Sequence, residues 1–307
     1  MIAPPRLRPG DRIGIVAPSG PVLRKHVTAG ARILEREGFR VVMARHVFDR
    51  RGHLAGTDAA RLDDFNRMLR DPDIRCMLMA RGGYGSMRIA SDVDWRAMRR
   101  DPKVFAGFSD ATFLHLGFAR HAGVRTLHGP NLHGFGFGRA GEIARWLSWV
   151  TRPEPPERVR ALGAPVRIAG TRAPARGIVL GGNLQLVDYA AGTDMLPSFR
   201  GAIVFFEEVN EPPYKVDGTL CHLRLARAFR GVRAVALGDF TKCVPRPKRR
   251  ELKLAQVLRD HLEPLGVPVA GGIRAGHGHR NLPVPLGATA VLDPGKGILR
   301  YEEGLVS

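Results

Sequence analysis

No uninterrupted apolar run in this 307-residue chain approaches the ~18 residues that a membrane-spanning helix needs. The opening stretch, MIAPPRLRPGDRIGIVAPSG, has no charged-then-apolar leader pattern and runs directly into a strand, so a secretory signal is not expected. Cysteine is scarce. Cys76, Cys221 and Cys243 are widely spaced and odd in number, which excludes a disulfide framework and points to reduced thiols. These absences lead us to expect a cytoplasmic protein that works away from membranes. Internal repeats and low-complexity tracts are absent, and the length suffices for two domains with buried cores.

Lysine is also sparse: seven lysines leave 41 arginines among the 48 basic residues, for a net charge of +19 and a pI near 11.1. Such a charge invites a nucleic-acid reading. The arginines are spread along the whole chain, however, and the one dense cluster, Arg246-Pro247-Lys248-Arg249-Arg250, carries no aromatics for base stacking. No specific nucleic-acid partner is expected, although a positive surface favours acidic substrates. Dinucleotide and P-loop motifs are missing as well. In Gly82-Gly83-Tyr84-Gly85 the last glycine of the dinucleotide pattern is replaced by Arg88, and no Gly-Lys-Ser/Thr follows. That turn is either structural or a cradle of backbone N–H groups for an oxyanion or carboxylate.

What is present in the first half is alternation. Apolar strands at 11–17, 39–43 and 74–80 alternate with amphipathic stretches at 26–37 and 58–69, which predicts a parallel sheet with helices on both faces. Function then belongs at the carboxyl ends of the strands. Residues 151–175 are proline-rich and charged with little period, and read as a linker or crossover between a domain at 1–150 and another at 176–307. The second half opens on the stretch 177–184 and mixes strands at 202–206, 234–237, 288–292 and 298–301 with helices near 220–229 and 251–261.

The stretch 103–123 organises the chain. Val104-Phe105-Ala106 reads as a buried strand, and Phe113, Leu114, Leu116, Gly117 and Phe118 have helical spacing. Between them Gly107-Phe108-Ser109-Asp110-Ala111 turns sharply, with small residues two before and two after Ser109. That is the steric requirement of a nucleophile elbow, met here with alanine in place of the final glycine. The plain alternative is that Ser109 or Asp110 caps the helix. Two later features answer a serine nucleophile, which needs a base oriented by a carboxylate. Glu207 and Glu208 close the apolar strand, and His277 and His279 lie in a glycine-rich loop. A rival reading makes His277, His279 and a glutamate metal ligands.

In GIVAPSG, LAGTDAARLDDFNRML, ARGGYGSMRI, GFSDATFLH, HGPNL, GGNLQLV, FFEEVNEPPYKVD and AGHGHRN followed by LPVPLG, the chain resembles the LD-carboxypeptidase family of serine peptidases, which includes the microcin-immunity enzymes. The resemblance implies an α/β protein whose N-terminal domain has a Rossmann-like, glutamine-amidotransferase-like parallel sheet. Its second domain would be smaller, β-rich and α+β, with the site between the two. It places the catalytic roles on Ser109, Glu207 and His277 and the oxyanion-hole N–H groups on Gly83 and Asp110. Gly82, Tyr84 and Asn183 would touch substrate. It implies no cofactor or metal, a homodimer, and release of terminal D-alanine from a murein-derived tetrapeptide in cell-wall recycling. The alternative within the family is hydrolysis of a peptidyl- or aminoacyl-nucleotide. A non-enzymatic murein-peptide or nucleic-acid binder is disfavoured by the intact Ser109, Glu207 and His277. Departures from the family pattern at Gly218-Thr219-Leu220 and Asp194-Met195 bear on the substrate more than on the chemistry.

Overall fold

The computed structural model describes all residues except 137–139, 156–158, 161–165 and 247–249. In the first half the strands are β1 (Arg12–Val16), β2 (Arg40–Met43), β3 (Ile74–Met79), β4 (Val104–Gly107) and β5 (Thr126–His128). The helices between and after them are α1 (Arg24–Arg36), α2 (Asp58–Arg70), α3 (Trp95–Arg100), α4 (Ala111–Gly117), α5 (Leu132–Phe135) and α6 (Ala140–Thr151). The second half contains β6 (Val159–Arg160), β7 (Val166–Ala169), β8 (Ala175–Asn183), α7 (Leu184–Ala190), β9 (Ala202–Val209), α8 (Pro213–Leu225) and β10 (Ala234–Thr241). It ends with α9 (Leu254–Leu262), β11 (Val269–Gly271), β12 (Val284–Leu286), β13 (Thr289–Asp293) and β14 (Ile298–Tyr301).

The strands form two sheets. A six-stranded sheet has the order β12-β5-β4-β3-β1-β2 and an eight-stranded sheet has the order β6-β14-β13-β8-β9-β10-β11-β7. In the first, β2, β1, β3, β4 and β5 are parallel, as the alternation predicts. Their near-continuous apolar runs follow from burial on both faces: Ile74, Cys76, Met77, Leu78, Met79, Val104, Phe105 and Ala106 are all fully buried. In the second sheet β8, β9, β10 and β11 are parallel, flanked by antiparallel strands. The α/β class is as expected, but the second half has more strands than the first and is built on its own parallel core.

Two details depart from the sequence reading. The stretch 151–175, expected as a linker, supplies β6 and β7 at the two edges of the second sheet; residues 156–158 and 161–165 of it lie outside the described set. Both strands are too short, at two and four residues, to carry a readable alternation, and the prolines around them give the stretch the composition of a linker. The helix placed near 220–229 begins earlier, at Pro213, because proline is favoured at a first helical position. Residues 247–249 of the basic cluster are also outside the described set.

The halves are stitched together rather than merely joined. β12 leaves the second half and pairs antiparallel with β5, Val284 opposite His128. At the C-terminus Ser307 exchanges backbone hydrogen bonds with the start of the chain, Arg6 N to Ser307 O at 3.0 Å and Ser307 N to Pro4 O at 2.9 Å. The loop 272–283 therefore crosses from one sheet to the other, over the carboxyl ends of β4 and β5.

Candidate active site

The turn after β4 has the strain an elbow requires. Ser109 adopts φ 64°, a left-handed conformation that few residues other than glycine enter without cost. A side chain at Gly107 would stand 3.0 Å from the Ala111 Cβ and 3.1 Å from both Met79 Cβ and Asn131 Oδ1. The small residues predicted around the serine are therefore demanded by contacts, and alanine suffices at 111. The Phe108 N–H donates to Asn131 Oδ1 at 3.1 Å. His115, fully buried on α4, lies 2.9 Å from the Gly107 carbonyl and 2.8 Å from the Thr126 hydroxyl. Burial pushes its imidazole down to about 3, so it is neutral and donates one N–H to Gly107 while accepting from Thr126.

Asp110, next to Ser109, is almost wholly buried. Its carboxylate accepts from Ser19 Oγ at 2.5 Å and from the Ser86 N–H at 2.8 Å, and its carbonyl accepts from Ser86 Oγ at 2.7 Å. Three loops at the strand ends, after β1, β3 and β4, are thus tied through one side chain. The Gly82-Gly83 turn lies against the serine: a Cβ at Gly82 would be 3.0 Å from Ser109 Cβ and 3.2 Å from its Oγ. Among the described residues, no backbone carbonyl takes the N–H of Gly83 or of Asp110. Asp110→Ala removes the buried acceptor of two donors and should lower stability by about 1–3 kcal/mol in thermal or urea denaturation. Because the glycine turn loses its anchor, kcat should also fall roughly 10–100-fold. An unchanged kcat at reduced stability would show that Asp110 only supports the fold.

His277, on the crossing loop, places Nδ1 2.7 Å from Glu207 Oε2. Glu207 is fully buried near the carboxyl end of β9. Burial alone would raise its pKa, but the neighbouring His128 and His277 outweigh it and hold the carboxyl at about 2. It is ionised at any pH near neutral. The loop reaches it because residue 276 is glycine: φ is +115° there, and a Cβ would come within 2.5 Å of Glu207 Oε2. Ser109 and His277 line one cleft of about 360 Å³, together with Gly82 and Gly83, and no direct hydrogen bond joins serine to imidazole. The Phe108 ring packs on the imidazole at 4.9 Å between centroids.

The other expected residues are placed differently. Glu208 points to the opposite face of β9, where it accepts from Asn183 Nδ2, Val209 N and Gln185 N, each at 2.9 Å. Asn183 is buried, and its amide oxygen accepts from Leu186 N at the start of α7. Both ends of its amide are committed to structure, so it does not reach the cleft. Tyr84 is exposed beside His53 and does not line the cleft, and His279 is exposed on the crossing loop. Gly82 and Gly83 line the cleft.

Three groups escaped sequence reasoning. His128 is fully buried with Nε2 3.8 Å from Glu207 Oε1, beyond hydrogen-bond reach, and neither of its nitrogens has a hydrogen-bond partner among the described residues. The Asp110 carboxylate, a candidate helix cap in the sequence, instead ties the loops after β1 and β3 to the turn. Asp239 on β10 packs against Gly278, and burial, reinforced by the charge of Glu207, pushes it up to about 6. Only the HGPNL string pointed toward His128, and nothing in spacing placed it beside Glu207.

The fold and the site define a two-sheet α/β protein that presents a serine on a strand–turn–helix elbow, across a cleft from a glutamate-bound histidine. The chain belongs to the LD-carboxypeptidase family: residues 13–129 match the LD-carboxypeptidase N-terminal domain and residues 176–292 the C-terminal domain. A Streptomyces coelicolor protein named as a carboxypeptidase is 40% identical over 313 residues, covering 98% of this chain and 96% of the relative. The murein tetrapeptide carboxypeptidase of Pseudomonas aeruginosa is 32% identical over 298 residues, 92% of this chain and 93% of that protein. The solved structure of MccF in complex with glutamyl sulfamoyl guanosine superposes with a TM-score of 0.87 over 100% of both chains at 24% identity, a likeness of fold.

Proposed function

We propose that this protein is a serine carboxypeptidase that hydrolyses an L,D-peptide bond and releases terminal D-alanine from murein tetrapeptide. The observation that carries the reading is the His277–Glu207 pair, held at 2.7 Å, facing the cleft that also exposes Ser109. Ser109 Oγ attacks the scissile carbonyl while His277 Nε2 takes its proton. Glu207 keeps the other proton on Nδ1 and stabilises the imidazolium that forms. The N–H groups of Gly83 and Asp110 receive the developing oxyanion, each such donor being worth about 2.7–4 kcal/mol. The imidazolium returns its proton to the departing amine, leaving an acyl-serine. Water, deprotonated by the same imidazole, then releases the tripeptide acid. The identity with the Pseudomonas aeruginosa enzyme supports the choice of murein tetrapeptide. The same reading carries a cytoplasmic homodimer, and light scattering on purified protein tests the dimer.

Incubation with murein tetrapeptide, with products weighed by mass spectrometry, should yield the tripeptide and D-alanine. Cleavage of an aminoacyl sulfamoyl adenosine in preference to the tetrapeptide would replace this reading with the nucleotide one. Activity should survive exhaustive treatment with a metal chelator, since Ser109 supplies the nucleophile that a metal-bound water otherwise would. Loss on chelation with recovery on adding zinc would move the chemistry to the His277-Gly278-His279 loop.

A further inference from the structure

The cleft beside Ser109 is lined by an arginine and, among the described residues, by no acid. Arg81, the residue before the Gly82-Gly83 turn, lines the cleft with Ser109 and His277, and no aspartate or glutamate does so among the described residues. Its guanidinium makes one described contact, Nη1 to the Pro21 carbonyl at 2.8 Å, and takes part in no ion pair among those residues. Elsewhere in the chain arginines near acids pair with them, as Arg88 does with Asp58 and Arg176 with Glu302. The nearby His133, on the same wall, is held below the ordinary imidazole range by burial, then by His26 and by Arg81 itself. It is therefore neutral near pH 7 and leaves Arg81 as the fixed cation of that wall.

We propose that Arg81 binds the free terminal carboxylate of the substrate and thereby restricts the enzyme to removing a chain-terminal residue. This rests on the serine-peptidase reading of the cleft. The chemistry fits the placement. In a carboxypeptidase substrate the terminal carboxylate is three bonds from the scissile carbonyl carbon, on the leaving-group side. The turn that packs against Ser109 is formed by the two residues following Arg81, and Arg81 itself lines the same cleft, which puts a cation in the cavity that receives the leaving group. A guanidinium offers paired N–H donors matched to a carboxylate, and the Pro21 carbonyl steadies one end of the fork while the rest stays available. An anionic sulfamate or phosphate of an acyl-nucleotide has the same attraction; the absence of acids in the cleft fits either anion, and the position beside the oxyanion turn favours the carboxylate.

The test compares murein tetrapeptide with its C-terminal amide on the full chain, wild type against Arg81→Ala and Arg81→Lys. The wild type should strongly prefer the acid. Arg81→Ala should raise KM for the acid roughly 10- to 100-fold, the worth of a charge-assisted contact, with kcat much less affected. The acid-to-amide ratio of kcat/KM should collapse toward one, and Arg81→Lys should restore part of it. A wild type indifferent to amidation, or an Arg81→Ala protein losing activity equally on acid and amide, overturns the proposal. Calorimetry on Ser109→Ala protein, with and without Arg81→Ala, reads the same preference without turnover, so failure of catalysis and failure of recognition are separable. Arg81-dependent binding of an aminoacyl sulfamoyl adenosine, with tetrapeptide binding unaffected by the Arg81 change, would reject the carboxylate in favour of the nucleotide anion.

Discussion

Ser109→Ala should lower kcat by roughly 10⁴ or more while leaving the fold intact, and His277→Ala should do the same. In the proposed mechanism the first change removes the atom that bonds the scissile carbon. The second leaves the hydroxyl with no group to take its proton and leaves the amine with no donor when it departs. Because both residues act in the same steps, the double variant should fall hardly further than either single one. Stability should scarcely change for Ser109→Ala, since alanine removes one hydroxyl, although the left-handed backbone at 109 persists. Single-turnover kinetics with the tetrapeptide, alongside thermal denaturation, separate the two effects. A Ser109→Ala protein with near-full activity would end the serine reading. Chelator-sensitive turnover in that variant would point to a metal-bound nucleophile instead.

The second large effect concerns two adjacent glutamates. Glu207→Gln should cost roughly 10³–10⁴-fold in kcat, because an amide facing His277 Nδ1 favours the wrong tautomer and no longer stabilises the cation. Glu208→Gln should keep most of the activity, since Glu208 faces Asn183 and α7 across β9. Their pH signatures also oppose each other. Glu207 is depressed to about 2, so it contributes stability that is present above its ordinary 4.5 and is lost as the pH falls toward 2. Glu208 is raised to about 7, mainly by burial against the pull of three N–H donors. The folded state therefore holds its proton more tightly than the unfolded chain does. That preference is fully present below 4.5 and is lost as the pH rises through about 7. Glu208→Gln should flatten the decline of Tm across that window, and Glu207→Gln should not. If Glu208→Gln instead abolishes turnover in a folded protein, the acid of the triad is misassigned.

Much of this was open to a reader of the sequence because it depends on neighbours along the chain. The apolar runs at 74–80 and 104–106 announce buried parallel strands through composition alone. Gly107, Ser109 and Ala111 announce an elbow through sterics within five residues. Alternation along β9 puts Glu207 and Glu208 on opposite faces without any tertiary information. The crossing of β12 into the first sheet was not legible, because Val284 and Pro285 form a strand too short to carry a period and pair with residues more than 150 positions away. The placement of Asn183 was not legible either: its side chain bonds Glu208, 25 positions on, and caps α7 through the Leu186 N–H.

The sequence by itself determined the class of fold, the strained serine and the residue types that could serve it, since periodicity, turn sterics and chemical character are local properties. Tertiary structure alone decided which of those residues meet. Only packing brings Glu207 to His277, Asp110 to Ser19 and His128 to the far side of Glu207. Only the assembled cleft reveals that, among the described residues, no acid lines it beside Arg81. Contacts of this kind join positions 70 or 91 residues apart. No local pattern encodes such a separation, because it is fixed by how two sheets and their crossing loop bury a common core.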